Sequence, residues 1–329
     1  MSGSVTLPGS LPEPGHLVTH PGWRRTATVL ASVVGAVIAA VLVLLLVHPS
    51  TLASGSPIVG RGDVLAAPSR SHLFGTDQLG RDLFARIIWG ARPVLLASVL
   101  GVCAATILGM TLGIIGGVAP RLISAVVMRV VDVLLALPVL LIALMIIAIA
   151  GSGVSSIVIA VAVAFTPGYA RVVAVSVRRL RRAEYVQAAQ VFGESGPRTA
   201  LRHLVPNLAT EVIVLVTSGI GWAVLTSTTL SFLGLGVRLP SPDWGTDLAA
   251  GATYISSAWW LTTFPGLAIT VTIVLANFLG DIVIGELDPR GRRQLRGAVR
   301  AVVGSGFGPG NRWSPALVVL GRHKGGGTS

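Results

Sequence analysis

The chain has 329 residues, of which 52% are hydrophobic and only 12% charged, and its formal net charge is +12. A soluble domain carries about twice that charged fraction, so the composition excludes an ordinary soluble protein. The single cysteine, Cys103, excludes a disulfide within the chain and a metal cluster built on cysteine.

Apolar stretches of about twenty residues, the length that crosses the hydrocarbon core as a helix, predict the membrane spans. Before them, residues 1–22 are rich in Pro, Gly and Ser and are predicted to be a disordered tail. The first apolar stretch lacks a convincing cleavage site and is predicted to be an uncleaved span. The spans are predicted at 26–47, 93–118, 131–150, 154–173, 209–235 and 264–284. The expected fold class is therefore an all-α, polytopic membrane protein with six transmembrane helices.

The placement of Arg predicts the orientation, because basic residues are enriched on the cytoplasmic side of a membrane protein. Segment 171–208 contains seven Arg, and segment 286–329 contains seven Arg and Lys324. Both termini are therefore predicted to be cytoplasmic, and topology rather than nucleic-acid binding explains the positive charge. The opposite side holds Arg238 and five Arg that are predicted to serve local structure, namely Arg61, Arg70, Arg81, Arg86 and Arg92.

Small residues recur at a spacing of four along the second predicted span. This spacing places them on one helical face, where two backbones can approach closely in lipid. The sequence therefore predicts a packed helix–helix seam along Gly101, Ala105, Gly109, Gly113 and Gly117.

Motifs for catalysis, metal binding or phosphate binding are missing from the sequence. It has no HExxH or GxSxG pattern, and its only lysine lies outside any phosphate-binding loop. We therefore expect a chain that is not an enzyme and that binds neither a metal nor ATP by itself.

Few ionisable or amide side chains fall within the predicted spans. Asp132 comes three residues after Arg129, which predicts a local ion pair near the start of the third span. Asn277 and Asp281 lie one turn apart near the end of the last span. Because none of these candidates lies clearly at a span centre, the pattern argues against an ion-coupled secondary transporter, which is retained as an alternative of another class.

A polar segment, EYVQAAQVFGESGPRTALRHLVPN at 184–207, separates two apolar spans. Residues 184–191 contain no helix breaker, and Gly193 follows where a left-handed residue would end a helix. Ser195 then caps a second short helix with an apolar face of Leu201, Leu204 and Val205. On pattern alone, this pair of helices is either a docking element or a connector.

The same segment resembles the EAA loop of ABC-importer permeases. Three further stretches resemble C-type permeases for dipeptides, oligopeptides and nickel: HLFGTDQLGRDLFARIIWGARPVLL (72–96), LSFLGLGVRLPSPDWGTDLAAG (230–251) and ANFLGDIVIGELDPRGRR (276–293). The resemblance covers roughly residues 24–293. The chain departs from the family pattern at Ile284-Gly285, at Val94-Leu95 and at Gln187 and Gln190, which are often charged in the family.

This resemblance implies a type I ABC-importer permease fold in a bacterial inner membrane. Its division would be a tail at 1–22, a first helix with an external segment at 23–92, a core permease domain at 93–285 with the EAA loop at 184–207, and a basic tail at 286–329. The implied partners are a homologous B-type permease, two ATPase subunits or one fused pair, an extracytoplasmic solute-binding protein and membrane lipid. ATP and Mg²⁺ would be used by the ATPases. Di- or oligopeptides are the implied substrates, with nickel chelates or haem as alternatives.

The resemblance also assigns site residues in two groups. Coupling to the ATPase is expected of Glu184, Gln187, Ala188, Ala189, Gly193, Arg202, His203 and Pro206. Contact with the binding protein, or structure on the external side, is expected of Gly75, Asp77, Gly80, Arg81, Asp82, Trp244 and Asp247. For the turn GTDQLGRD we favour a self-capped structure in which carboxylates accept bonds from nearby backbone N–H groups.

Overall fold

The computed structural model describes residues 21–53, 56–60 and 62–287. Apart from an isolated antiparallel bridge between Thr76 and Asp82, the regular structure of these residues is helical, which confirms the all-α class. The two predicted tails lie almost wholly outside the described residues. The helices are α1 Pro21–Val47, α2 Leu83–Val118, α3 Arg121–Leu135, α4 Val139–Ala150, α5 Val154–Leu180, α6 Glu184–Val191, α7 Gly196–Thr199, α8 Val205–Asn207, α9 Ala209–Leu230, α10 Trp244–Ala252 and α11 Trp260–Leu287.

The described residues do not confirm all six predicted spans. In the described residues, four helical segments are long and apolar enough to cross a membrane: α2, α5, α9 with its π-helical extension to Leu235, and α11. Helices α3 and α4 count as a fifth only if they are taken together, and the apolar part of α1, Val33–Val47, is shorter. The structure thus supports four or five spans by length and composition.

The span predicted at 131–150 falls on two helices, α3 and α4, which are bent by 95° at a short break. Pro138 stands immediately before α4 with extended backbone angles. Proline has no N–H to donate to the preceding turn and disfavours helical angles in the residue before it. These two effects end α3 and allow α4 to start in a new direction.

The seam predicted along α2 is confirmed, and its partner is α5. A Cβ built on Gly101 would lie 2.7 Å from Val161 Cγ1, and one on Gly113 would lie 2.6 Å from Val173 Cβ. Ala105 is fully buried. Since the side chains of α5 occupy the space that larger residues on α2 would need, the small residues set the distance between the two backbones.

Two predicted boundaries fall inside helices. The division at residues 92–93 lies within α2, so the segment that was predicted to be external leads directly into a membrane helix. The predicted end of the fourth span, residue 173, lies inside α5, which continues to Leu180. Arg171, the first residue of the predicted cytoplasmic segment, is thus part of this helix.

Candidate functional site

Helix α6 has the predicted bounds and the predicted C-terminal signal. Gly193 has a φ of +83°, the left-handed conformation that favours glycine. Beside it, Phe192 N donates to Ala188 O at 3.0 Å and Glu194 N donates to Ala189 O at 3.1 Å. The bond from the residue after the glycine back to Ala189 is that of a Schellman closure, so the chain turns sharply here.

The inner face of segment 184–207 packs on the end of α5. Val186, Leu204 and Leu208 are buried in one cluster with Val173 and Val177. A second contact closes the segment on itself, because His203 Nε2 and Glu194 Oε2 lie 2.8 Å apart. The segment is therefore a folded hairpin whose position depends on the direction of α5.

The predicted apolar face of the second half is wrong at Leu201, which is 72% exposed. Residues Ala200–Leu204 form a π-helical turn, whose wider hydrogen-bond pattern adds a residue to the turn and shifts the face that each side chain occupies. Ala200, Leu204 and Leu208 are the buried residues instead.

The outer face of the hairpin is exposed and partly apolar. Phe192 is 90% exposed and Val191 is 85% exposed, and the sequence analysis missed both. The signal that could have found them is a pair of large apolar residues directly before the glycine that ends a mostly polar helix. Of the predicted coupling residues, Glu184, Gln187, Ala188, Gly193, Arg202 and Pro206 are exposed, and Ala189 and His203 are half-buried.

The turn at 75–82, which was predicted to be external, is self-capped as predicted for Asp77. Its Oδ1 accepts bonds from Leu79 N and Arg81 N, both at 2.9 Å, and its Oδ2 pairs with Arg81 Nε. Gly75 and Gly80 have positive φ, which the tight turn requires. Asp82 does not cap its helix, because its side chain makes no cap hydrogen bond. Its Oδ1 lies 3.7 Å from His72 Nδ1.

Arg86 connects segments that are far apart in sequence and that were predicted to be external. Its Nε donates to Asp247 Oδ1 and Oδ2 at 3.0 and 3.2 Å, and its Nη2 also pairs with this carboxylate. Its Nη1 donates to Pro57 O at 2.8 Å and to Pro240 O at 3.2 Å. Arg86 is fully buried. One guanidinium thus holds the start of α2, the start of α10 and two loops together.

The segments that Arg86 joins form a layer, which we call the external layer after its predicted side of the membrane. Trp244 and Asp247 are packed inside this layer. Trp244 Nε1 donates to Ile87 O at 2.7 Å. Asp243, which the sequence analysis missed, caps α10 by accepting from Thr246 N at 3.0 Å. Burial raises the pKa of the Asp243 carboxyl and that of Asp247, while Arg86 opposes the second shift. The burial of Trp244 and Asp247 favours the structural alternative for both residues.

Comparison with known families decides the class of the protein. Residues 109–293 match the family model described as "Binding-protein-dependent transport system inner membrane component", which is more than half of the chain. The chain belongs to this family of membrane permeases.

Curated relatives of the permease cover most of its length. It is 40% identical over 275 residues to the dipeptide transport system permease protein DppC of Escherichia coli K12, an alignment that covers 82% of this chain and 92% of that protein. It is 35% identical over 284 residues to DppC of Alkalihalophilus pseudofirmus, covering 85% of this chain and 93% of the relative.

The fold of the permease is also found in a solved transporter. The MetNI methionine ABC transporter, in an inward-facing conformation, matches with a TM-score of 0.51 and 15% identity, covering 62% of this chain and 96% of that one. This likeness supports the predicted ABC-importer permease fold.

The polar residues in the permease's membrane helices do not follow the predicted local pairing. Asp132 Oδ1 pairs with Arg171 Nη1 of α5 at 3.1 Å, so the predicted pair with Arg129 is wrong. Helices α3 and α5 bring these two side chains together, although the residues are too far apart in the sequence for helical spacing to pair them. Asn277 lies against α9, where a Cβ on Gly221 would come within 2.9 Å of its Oδ1. Asp281 is exposed on α11.

Proposed function

We propose that this permease is the C-type membrane subunit of an ATP-driven importer of di- or oligopeptides. The observation that carries the proposal is the near full-length similarity to DppC of E. coli, whose name states dipeptide transport and of which 92% is covered. In such an importer a homologous B-type permease completes the membrane path. An extracytoplasmic binding protein delivers the peptide, and two ATPase subunits bind ATP and Mg²⁺.

The proposed orientation places both termini and segment 184–207 in the cytoplasm of a bacterium. Five Arg lie in the stretch from residue 178, near the end of α5, to residue 198 in α7, outside the apolar part of the spans. They are Arg178, Arg179, Arg181, Arg182 and Arg198. The external layer around Arg86 then faces the binding protein.

Reconstitution tests the proposal directly. Proteoliposomes that contain the two permeases and the ATPases should take up peptide only when ATP is inside and loaded binding protein is outside. Uptake that follows a proton or sodium gradient without ATP would contradict the proposal in favour of a secondary transporter.

The hairpin at 184–207 is the proposed contact with the ATPases. Its inner face is fixed to α5 by Val186 and Leu204, and its outer face carries the exposed Val191 and Phe192. Large apolar side chains that are exposed next to each other outside a membrane span are typical of protein contact sites. A simple connector would have no need of such a surface, so this arrangement supports the docking interpretation over the connector interpretation.

Replacing Gly193 should weaken this contact without harming the membrane helices. Isoleucine in the left-handed conformation costs about 1–2 kcal/mol, and a loss of about 1.4 kcal/mol weakens an association tenfold. An added Cβ meets nothing within 4 Å, so the effect comes from the backbone and not from a collision with Ala188 or Ala189. We predict about tenfold weaker co-purification of the ATPases with Gly193→Ile, and ATP hydrolysis that loaded binding protein no longer stimulates.

Gly193→Asn is the matched control, because asparagine adds a side chain at the same place but tolerates the left-handed conformation. It should retain most of the association, and Gly193→Ala should lie between the two variants. Wild-type association of Gly193→Ile would show that the hairpin is only a connector.

A further inference from the structure

An ion pair lies on the surface of two membrane helices. Arg171 Nη1 and Asp132 Oδ1 are 3.1 Å apart, and their side chains remain 47% and 42% exposed. Helix α5 has 27 residues and is about 40 Å long, which exceeds the hydrocarbon thickness of about 30 Å. Arg171 lies four residues from Pro167 at the midpoint of α5, and Asp132 lies in α3. Helix α5, and α3 taken together with α4, are long and apolar enough to cross a membrane.

Exposed charges on helices that cross a membrane need water or protein beside them. Ionisable side chains in membrane helices are costly unless they face the bundle interior or a water-filled cavity. The ion pair neutralises the two groups mutually, yet about half of each side chain stays uncovered by this chain. The face of α3 and α5 that carries them is thus unsuited to contact with lipid tails.

The same face contains a groove. Its volume is about 540 Å³, and its lining includes Leu135 of α3, Gly168 and Tyr169 of α5, and Trp222 and Thr226 of α9. Asp132 precedes Leu135 by three residues, and Arg171 follows Gly168 by three, so each charged residue lies one helical turn from the lining on the same face. The ion pair thus marks one end of the groove.

The lining of the groove suits a small molecule with an apolar body. Trp222 is 66% exposed, and a Cβ on Gly168 would meet nothing within 4 Å, so both positions border open space. The volume lies within the range of about 300–1,000 Å³ that is usual for small-molecule sites. The charged groups that we find beside it, Arg171 and Asp132, are one of each sign.

We propose that this groove is the chain's part of the substrate path and that Arg171 and Asp132 bind the charged termini of a zwitterionic peptide. The guanidinium pairs with the terminal carboxylate, and the carboxylate of Asp132 pairs with the terminal ammonium. On binding, the ion pair between Arg171 and Asp132 is replaced by two ion pairs with the peptide, so neither charge is left unpaired. This inference rests on the proposed function and names the residues of its path.

The test is the number of peptides transported per ATP hydrolysed by the complete importer. With Arg171→Gln or Asp132→Asn we expect this ratio to fall at least tenfold, while hydrolysis stimulated by loaded binding protein stays within about twofold of the unaltered importer. Arg171→Lys keeps the positive charge and should restore most of the ratio. A purely structural ion pair would instead lower uptake, hydrolysis and membrane abundance together, which would overturn the inference.

A matched control is available on the same helix. Arg179 pairs with Glu211 of α9 at 2.6 Å but lies two turns beyond Arg171, away from the groove lining. Arg179→Gln should leave the transport ratio unchanged. An equal fall in this variant would show that any broken interhelical ion pair uncouples the importer, and would contradict a specific role for Arg171.

A second measurement tests the proposal even if the charge variants are poorly produced. Gly168→Cys, with Cys103 replaced by Ala, should react with a water-soluble thiol reagent in the assembled importer, and transported peptide should slow the reaction several-fold. A thiol that does not react would show that the groove is dry, and one that peptide does not protect would show that peptide does not pass there. Failure of the proposed function is distinct, because the unaltered importer would then show no ATP-dependent uptake.

Discussion

Truncation of Arg86 should be among the most destabilising single changes in the permease. Arg86→Ala leaves the buried carboxylate of Asp247 without its cation and removes the donor to Pro57 O and Pro240 O. Breaking a buried ion pair by removing one partner costs about 3–5 kcal/mol, because an uncompensated charge stays buried. We expect a loss of unfolding free energy of this size, and a correspondingly small amount of folded protein in the membrane.

The measurement is thermal unfolding in detergent together with the abundance of the chain in membranes. Arg92→Gln is the matched control, since Arg92 is exposed on the same helix, and it should change little. The double variant Arg86→Met with Asp247→Leu removes both charges and should be more stable than either single variant. If Arg86→Ala melts like the unaltered protein, the external layer does not depend on this ion pair.

The sequence correctly predicted those features that are determined by residues close together in the chain. The bounds of α6 follow from a run without helix breakers that ends at a glycine, and the bonds of Asp77 follow from N–H groups two and four residues later. The small-residue face of α2 follows from helical periodicity alone, although the identity of its partner helix does not.

Contacts between distant residues were beyond this reasoning. Arg86 and Asp247 are separated by 161 positions, so neither spacing nor periodicity could pair them. Arg171 was assigned to the predicted cytoplasmic segment 171–208, and its pairing with Asp132 on another helix was not predicted. Hydropathy measures the cost of a charge in lipid, and it does not report a carboxylate on another helix that lowers this cost.

One helix connects the two ends of the molecule. The first turns of α2 contain Arg86 and belong to the external layer, and the helix then runs along α5. Near its other end, α5 contacts the hairpin through Val173 and Val177. The packing between α2 and α5 therefore lies between the external layer and the proposed ATPase contact. A change that separates these helices should affect both ends.

Gly113→Val is expected to separate them. A Cβ at this position would lie 2.6 Å from Val173 Cβ and 2.8 Å from Ala170 O. The second neighbour is a backbone atom, so rotation of a side chain cannot relieve the overlap and α5 itself must move. Overpacking in a well-packed core costs about 1–3 kcal/mol, and we expect a loss near the upper end, about 3 kcal/mol, because valine adds two further methyl groups to the overlapping Cβ.

Thermal unfolding in detergent measures this loss, and Gly168→Ala on α5 provides the control. A Cβ on Gly168 meets nothing within 4 Å, and alanine is favoured over glycine inside a helix by about 1 kcal/mol, so this variant should melt at or above the temperature of the unaltered protein. Gly113→Ala should lie between the two, because its Cβ already overlaps with Val173. A melting temperature of Gly113→Val equal to that of Gly168→Ala would mean that α2 and α5 can move apart at little cost, and the seam would then not set their distance. Because the direction of α5 places the hairpin, the same displacement should lower co-purification of the ATPases with Gly113→Val even in the fraction of protein that remains folded.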